Sequence, residues 1–419
     1  MRSRPPKWLA AAALSTLLSG ACIHEPPQPV DEEVTPSLGE LTEIPVPALA
    51  PAGEPHLEAS PGGALLMSWI ERSADDDRAS VRLARYEEGS WTDPVTVASG
   101  NDLFVNWADF PSVHAFDDGS LAAHWLQKSG PGVYAYDVRI ARSVDGGASW
   151  SEPLTPHRDG TSTEHGFVSL GHREGSTDLE AVWLDGRNMA GTHDGHAGGD
   201  MTLRWARIDT EGVIVEEAEL DPRVCECCQT SLAMLPSGPL VAYRDRSADE
   251  IRDVALVRRT AEGWSEPRLV HDDGWRIEGC PVNGPQVDAL GSDAVVAWFS
   301  GAGGTLRTSV AFTSDGGASW SAPIAIDGGR PLGRVDVLLL EPDKAVVTWL
   351  ERGDEGAEIR TRVVGTDGRA GPAVRVGGSS PARAAGFPRT ARLGDRVFYA
   401  WTDPTEPPRI LLRAANLEE

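Results

Sequence analysis

Two stretches of this chain are near-copies: Ser143-Val-Asp145-Gly-Gly147-Ala-Ser-Trp150 and Thr313-Ser-Asp315-Gly-Gly317-Ala-Ser-Trp320. Both run on into Ser-x-Pro. The shared pattern, Ser/Thr-x-Asp-x-Gly-x-x-Trp, describes a tight turn. Its Asp carboxylate can accept backbone N–H groups, and its Gly can take the positive φ such a turn needs. The Trp can plug the turn onto a sheet, and the hydroxyl adds a local bond. The copies start at 143 and 313, far enough apart to hold a shorter repeat between them.

That repeat is present. A short apolar strand ending in an aromatic occurs seven times, with its aromatic at Trp69, Trp125, Trp183, Tyr243, Trp298, Trp349 and Trp401. A second short strand and a turn precede each copy, and a third strand follows it. A remnant of the Asp-Gly-Trp turn is legible at Glu88-Gly-Ser-Trp91 and at Glu262-Gly-Trp264. Four short strands per unit predicts an all-β propeller. No segment carries a sustained 3.6-residue period, which excludes a helical solenoid. Seven blades are the preferred count; six is the alternative, if residues 160–224 are an insertion. The last unit stops after its third strand, so Leu41-Thr-Glu-Ile-Pro-Val-Pro47 is expected to supply the fourth and close the ring.

The two turns resemble the Asp-box of sialidase-type propellers, with Ser143, Asp145, Gly147, Trp150, Thr313, Asp315, Gly317 and Trp320 as its residues. Sialidases have six blades, so seven departs from the family. The resemblance implies glycoside hydrolysis by an arginine triad, a tyrosine nucleophile with a glutamate, and an aspartic acid/base. These roles do not transfer by residue. The family's first arginine segment, Phe/Tyr-Arg-Ile-Pro, is replaced here by Glu54-Pro-His56-Leu57, and no tyrosine can be placed as the nucleophile. The stretch from Cys225 to Gly284 also resembles a group of bacterial secreted sialidase-like proteins.

The N-terminus reads as a signal. Arg2, Arg4 and Lys7 precede an apolar run from Trp8 to Leu18, then Ser19-Gly20-Ala21 and Cys22. Residues 1–21 are expected to be a lipoprotein-type signal peptide, with lipidation at Cys22. Residues 22–40, rich in Pro and Glu, form a tether, and residues 41–419 the propeller. The protein is expected in the cell envelope, periplasmic or at the cell surface, touching the membrane through its lipid only. The net charge of −25 argues against nucleic acid as a partner. A monomer is expected.

In a propeller the turns after third strands lie on one face. The segments leading into first strands and out of second strands meet on the other. Those segments hold Asp109, Asp185 and Asp245, candidate acid/bases, and Arg187, Arg246, Arg334, Arg389 and His165, candidate ligand-binding groups. Cys225, Cys227, Cys228 and Cys280 are expected to gather at one point of this mouth, as disulfides or as a thiolate site for copper or zinc. His193 and His196, in a Gly-rich loop, could join a metal. Three readings follow: a propeller that binds a glycan or small anionic ligand, an exo-α-sialidase-type hydrolase, and a metal-binding protein. The first two require no cofactor; the third adds a metal ion.

Overall fold

The computed structural model describes residues 37–190 and 199–418. Seven small antiparallel sheets are arranged as a seven-bladed β-propeller. Blade one holds Ala52–Ala59, Leu65–Arg72, Ala79–Glu87 and Val95–Gly100. Blade two holds Ser112–Ala115, Leu121–Lys128 and Tyr136–Ser143, with Leu154 bridging Ile140 in place of a full fourth strand. Blade three is complete, with His165–Gly171, Leu179–Asp185, Met201–Ile208 and Ile214–Val224. The unit around residues 160–224 is therefore a blade, which settles seven against six. The first strands of blades four to seven are Ser231–Leu235, Gln286–Leu290, Pro331–Glu341 and Arg389–Leu393.

The N-terminal segment closes the ring. Thr42–Glu43 pairs with Ala414 and Arg413 of the last strand, Arg409–Glu418. Ile44 N–H donates to Leu412 O at 3.0 Å. Pairing already begins at Ser37 and Leu38, so the clasp takes in residues expected to belong to the tether. Trp91 pins the clasp to blade one by donating its indole N–H to Pro45 O at 2.9 Å. The open edge of blade seven is thereby covered.

The repeated aromatic is what joins blade to blade. Each of the seven is buried and shares an apolar cluster with the blade before it. Trp349 of blade six clusters with Val295 and Val310 of blade five, and Trp183 of blade three with Leu126 and Val138 of blade two. Trp69 closes the circle against Phe398 and Leu412 of blade seven. Residues two apart on a strand share a face, so an acid two positions on can take the indole N–H. Trp69 donates to Glu71 (3.0 Å), Trp183 to Asp185 (2.9 Å) and Trp349 to Glu351 (2.8 Å).

Both Asp-Gly-Trp turns form as the sequence implies. Asp145 Oδ1 accepts from Ser149 N at 2.9 Å, and Asp315 Oδ1 from Ser319 N at 3.0 Å. Gly147 and Gly317 take φ of 95° and 78°. Hydrogen bonds from Ser149 and from Ser319, with the Ser143 and Thr313 hydroxyls, hold both carboxyls down at about 2. Trp150 and Trp320 pack against the clusters between blades one and two and between four and five.

An interface plugged by one indole should be fragile there. Trp349→Ala is expected to lower unfolding free energy by about 3–5 kcal/mol, read from urea denaturation. An unchanged midpoint would show that the indole does not hold blade six on blade five.

Candidate ligand site at the mouth of the ring

A first strand is the inner edge of its sheet, so its outward N–H and C=O groups need partners when the ring buries them. Side chains of the preceding blade supply these partners. Glu58 accepts Ala115 N (2.7 Å), Asp109 accepts Phe167 N (2.8 Å), Asp288 accepts Leu339 N (2.7 Å) and Asp336 accepts Thr390 N (2.7 Å). Hydroxyls serve elsewhere. Ser231 accepts Val287 N (3.0 Å), Thr402 accepts Glu54 N (3.1 Å), and Ser169 donates to Thr230 O (3.0 Å). A cavity of about 220 Å³ runs down this stitched axis. Burial pushes Asp288 up to about 6 there. Burial, with Arg389, His124 and His114 nearby, pushes the His56 imidazole far down.

Above the axis lies a larger pocket of about 530 Å³. Its walls come from the segments leading into blades two to five and seven, with the loop at residues 132–135. Trp107 and the exposed Tyr134 offer aromatic surface; Asn106, Glu164, Glu226 and Arg383 offer polar groups. Trp107 is fixed from behind. The Arg334 guanidinium lies 5.0 Å from its ring, and Phe387 stacks on it at 5.9 Å.

Tyr136 links pocket and axis. Its hydroxyl lies 2.7 Å from Glu164 Oε1 and 3.0 Å from Asp109 Oδ2. Burial lifts Glu164 to about 8 against the opposing Tyr136 bond, with Asp109 and Glu226 adding repulsion. Burial likewise lifts Asp109 to about 7, although Phe167 N–H and Tyr136 oppose it. The tyrosine itself is pushed well up by burial and by the two acids. It therefore stays a neutral donor, unsuited to attack as a phenolate.

The arginines have protein partners. Arg187 grips Asp185 through two bonds of 2.7 Å. Arg246 binds Glu250 at 2.6 Å and also contacts Glu226. Arg334 donates to Gly386 O (2.9 Å) and Ala382 O (3.1 Å), and burial lowers it to about 10. Arg389 lies in the axial cavity, over Phe110 at 4.4 Å and 3.8 Å from Asp336. Asp185 is fully buried among Trp183, Arg187 and Arg204. Asp245 accepts Arg246 N at 2.7 Å, outside the lining of both cavities, and burial lifts it to about 6.

The cysteines do converge. Cys225 Sγ lies 2.8 Å from Cys228 Sγ and 3.9 Å from Cys227 Sγ, while Cys227 and Cys280 line the pocket. All four are unbridged. Burial raises the Cys225 thiol, but bonds from Cys227 and Cys228 and the Arg252 guanidinium at 3.4 Å outweigh it and hold that thiol well down. Such a site suits a soft metal or thiol chemistry. His193, His196 and Cys22 lie outside the described residues.

No family model and no curated protein matches the chain. Solved structures do. A Dyadobacter fermentans protein of unknown function is 14% identical, with 92% of this chain and 100% of that one covered and a TM-score of 0.53. A Penicillium chrysogenum α-L-arabinanase is 13% identical, covering 91% and 98%, with a TM-score of 0.48. A Hadza microbial sialidase is 15% identical, covering 72% and 63%, with a TM-score of 0.41. At these identities the likeness is one of fold alone.

Proposed function

We propose that this protein is an exported, lipid-anchored propeller that binds a glycan in the pocket at the mouth of its ring. The observation carrying the reading is the composition of that pocket. Two aromatic faces, Trp107 and Tyr134, stand beside Asn106, Ser162, Thr163, Glu164 and Glu226. Sugar rings present C–H faces that stack on aromatics and hydroxyls that bond to amides and carboxyls. Among the described lining residues Arg383 is the one cation, and Arg187, Arg246 and Arg334 already have partners. A neutral glycan therefore fits better than a polyanion. Export and anchoring rest on the sequence of residues 1–22 alone.

Binding to an array of neutral and acidic glycans tests this. Trp107→Ala is expected to weaken binding about tenfold or more, roughly 1.4 kcal/mol, with the fold intact by circular dichroism. An unchanged binding profile would rule out the pocket as the site.

Glu164 favours a second reading, glycoside hydrolysis. A carboxyl held at about 8 is largely protonated at pH 7 and opens on the pocket, the state required of a general acid. The raised value also sets the pH dependence. Proton donation is available below about 8 and is lost as pH rises through it. Incubation with aryl glycosides, including 4-methylumbelliferyl sialoside, separates the readings. Pure binding predicts no release of the fluorophore. Release that declines above pH 8 and vanishes in Glu164→Gln would establish hydrolysis.

A further inference from the structure

Between blades two and three, apart from the pocket, lies a buried cluster that the ligand reading does not use. It comprises Asp137 of blade two's third strand, His157 and Asp159 from the segment after that blade, and His165 and Asp185 of blade three. His165 is fully buried, and neither of its ring nitrogens has a hydrogen-bond partner. Asp159 Oδ2 has none either, on a side chain only 8% exposed. Three orphaned polar atoms at one place are costly to bury.

Their spacing suggests what satisfies them. His165 Nε2 lies 3.2 Å from Asp159 Oδ2 and 3.6 Å from Asp185 Oδ1. Ligand atoms each about 2.0–2.2 Å from one metal ion stand about 3.0–3.5 Å from one another. On the far side of the ring, His165 Nδ1 faces Asp137 Oδ1 at 3.8 Å. A carboxylate behind the second nitrogen is the usual support of a metal-bound imidazole. His157 stacks flat on His165, with ring centres 3.7 Å apart and an interplanar angle of 2°. Its Nε2 accepts Val138 N–H at 3.3 Å, which fixes the ring. Asp159 Oδ1 is held by Thr161 N at 2.9 Å and by the Thr161 hydroxyl, which leaves Oδ2 for the ion. Charge agrees. Asp137, Asp159 and Asp185 outnumber Arg187, which grips Asp185 at 2.7 Å and lies 3.7 Å from Asp159, and Arg204, 4.0 Å from Asp185.

We propose that Asp159, His165 and Asp185 hold a divalent first-row transition-metal ion that ties blade three to the segment leaving blade two. One imidazole and two carboxylates suit manganese, iron or zinc better than the soft ions the thiols would take. The site is distinct from the cysteines. It adjoins the pocket through Glu164, the neighbour of His165, so the ion would also fix the strand that presents Glu164.

The test uses the full chain, stripped with chelator and titrated separately with Mn²⁺ and Zn²⁺. Mn²⁺ is followed by loss of the free-ion electron paramagnetic resonance signal, and both ions by thermal melting. One equivalent of Mn²⁺ should bind and raise the melting temperature. Asp159→Asn, nearly isosteric, should lose that binding at least tenfold, while Cys225→Ser should keep it. If the wild-type chain takes up neither ion, or Asp159→Asn binds Mn²⁺ as the wild type does, the proposal is overturned. The wild-type titration decides even if a variant fails to fold.

Discussion

The ring depends on how the inner edge of each blade satisfies its backbone. Seven sheets facing a common axis bring seven edge strands together, and an edge strand carries unpaired N–H and C=O groups. At the centre of a propeller those groups are removed from bulk water, so each needs a partner. Here the partner is a short acid or hydroxyl from the blade before: Glu58, Asp109, Ser169, Ser231, Asp288, Asp336 and Thr402. The bonds run in one rotational sense around the axis. Indole and phenol rings of the second strands do the apolar half of the same task further out.

This arrangement links stability to the ligand site. Asp109 caps Phe167 with one oxygen and takes the Tyr136 hydroxyl with the other. Tyr136 in turn reaches Glu164 on the pocket wall. Burial raises the pocket's acid, and a residue that belongs to the ring itself, Tyr136, opposes that rise. The Asp-Gly-Trp turns follow third strands, on the face opposite the segments that build the pocket, and serve as rivets for the sheets.

Much of the fold was legible because it is periodic. The recurring aromatic from Trp69 to Trp401 and the unfinished last blade carry the blade count and the N-terminal clasp. The site was less legible, because it is assembled across blades. Asp109, His165 and the cysteines stood out as chemistry in loops, and the structure does bring Cys225, Cys227 and Cys228 together. The arginines stood out equally, but whether a guanidinium is free depends on partners such as Gly386 and Glu250, remote or local, that spacing does not reveal. Trp107 went unnoticed inside a segment with no strand period; its signal is the aromatic run Phe104, Trp107 and Phe110. Tyr136 had no assigned place, since only the fold sets it against Glu164. His157 and Asp159 sit in a connection whose meaning appears once blades two and three are adjacent.

Hydrogen–deuterium exchange, resolved to single amides, tests the central claim most directly. If side chains of the preceding blade satisfy the inner edges, the amides of Phe167, Leu339 and Thr390 should exchange only as fast as global unfolding allows. Asp336→Ala should release Thr390 alone. Exchange of these three amides at the rate of the exposed loop amides in the wild-type protein would contradict the account.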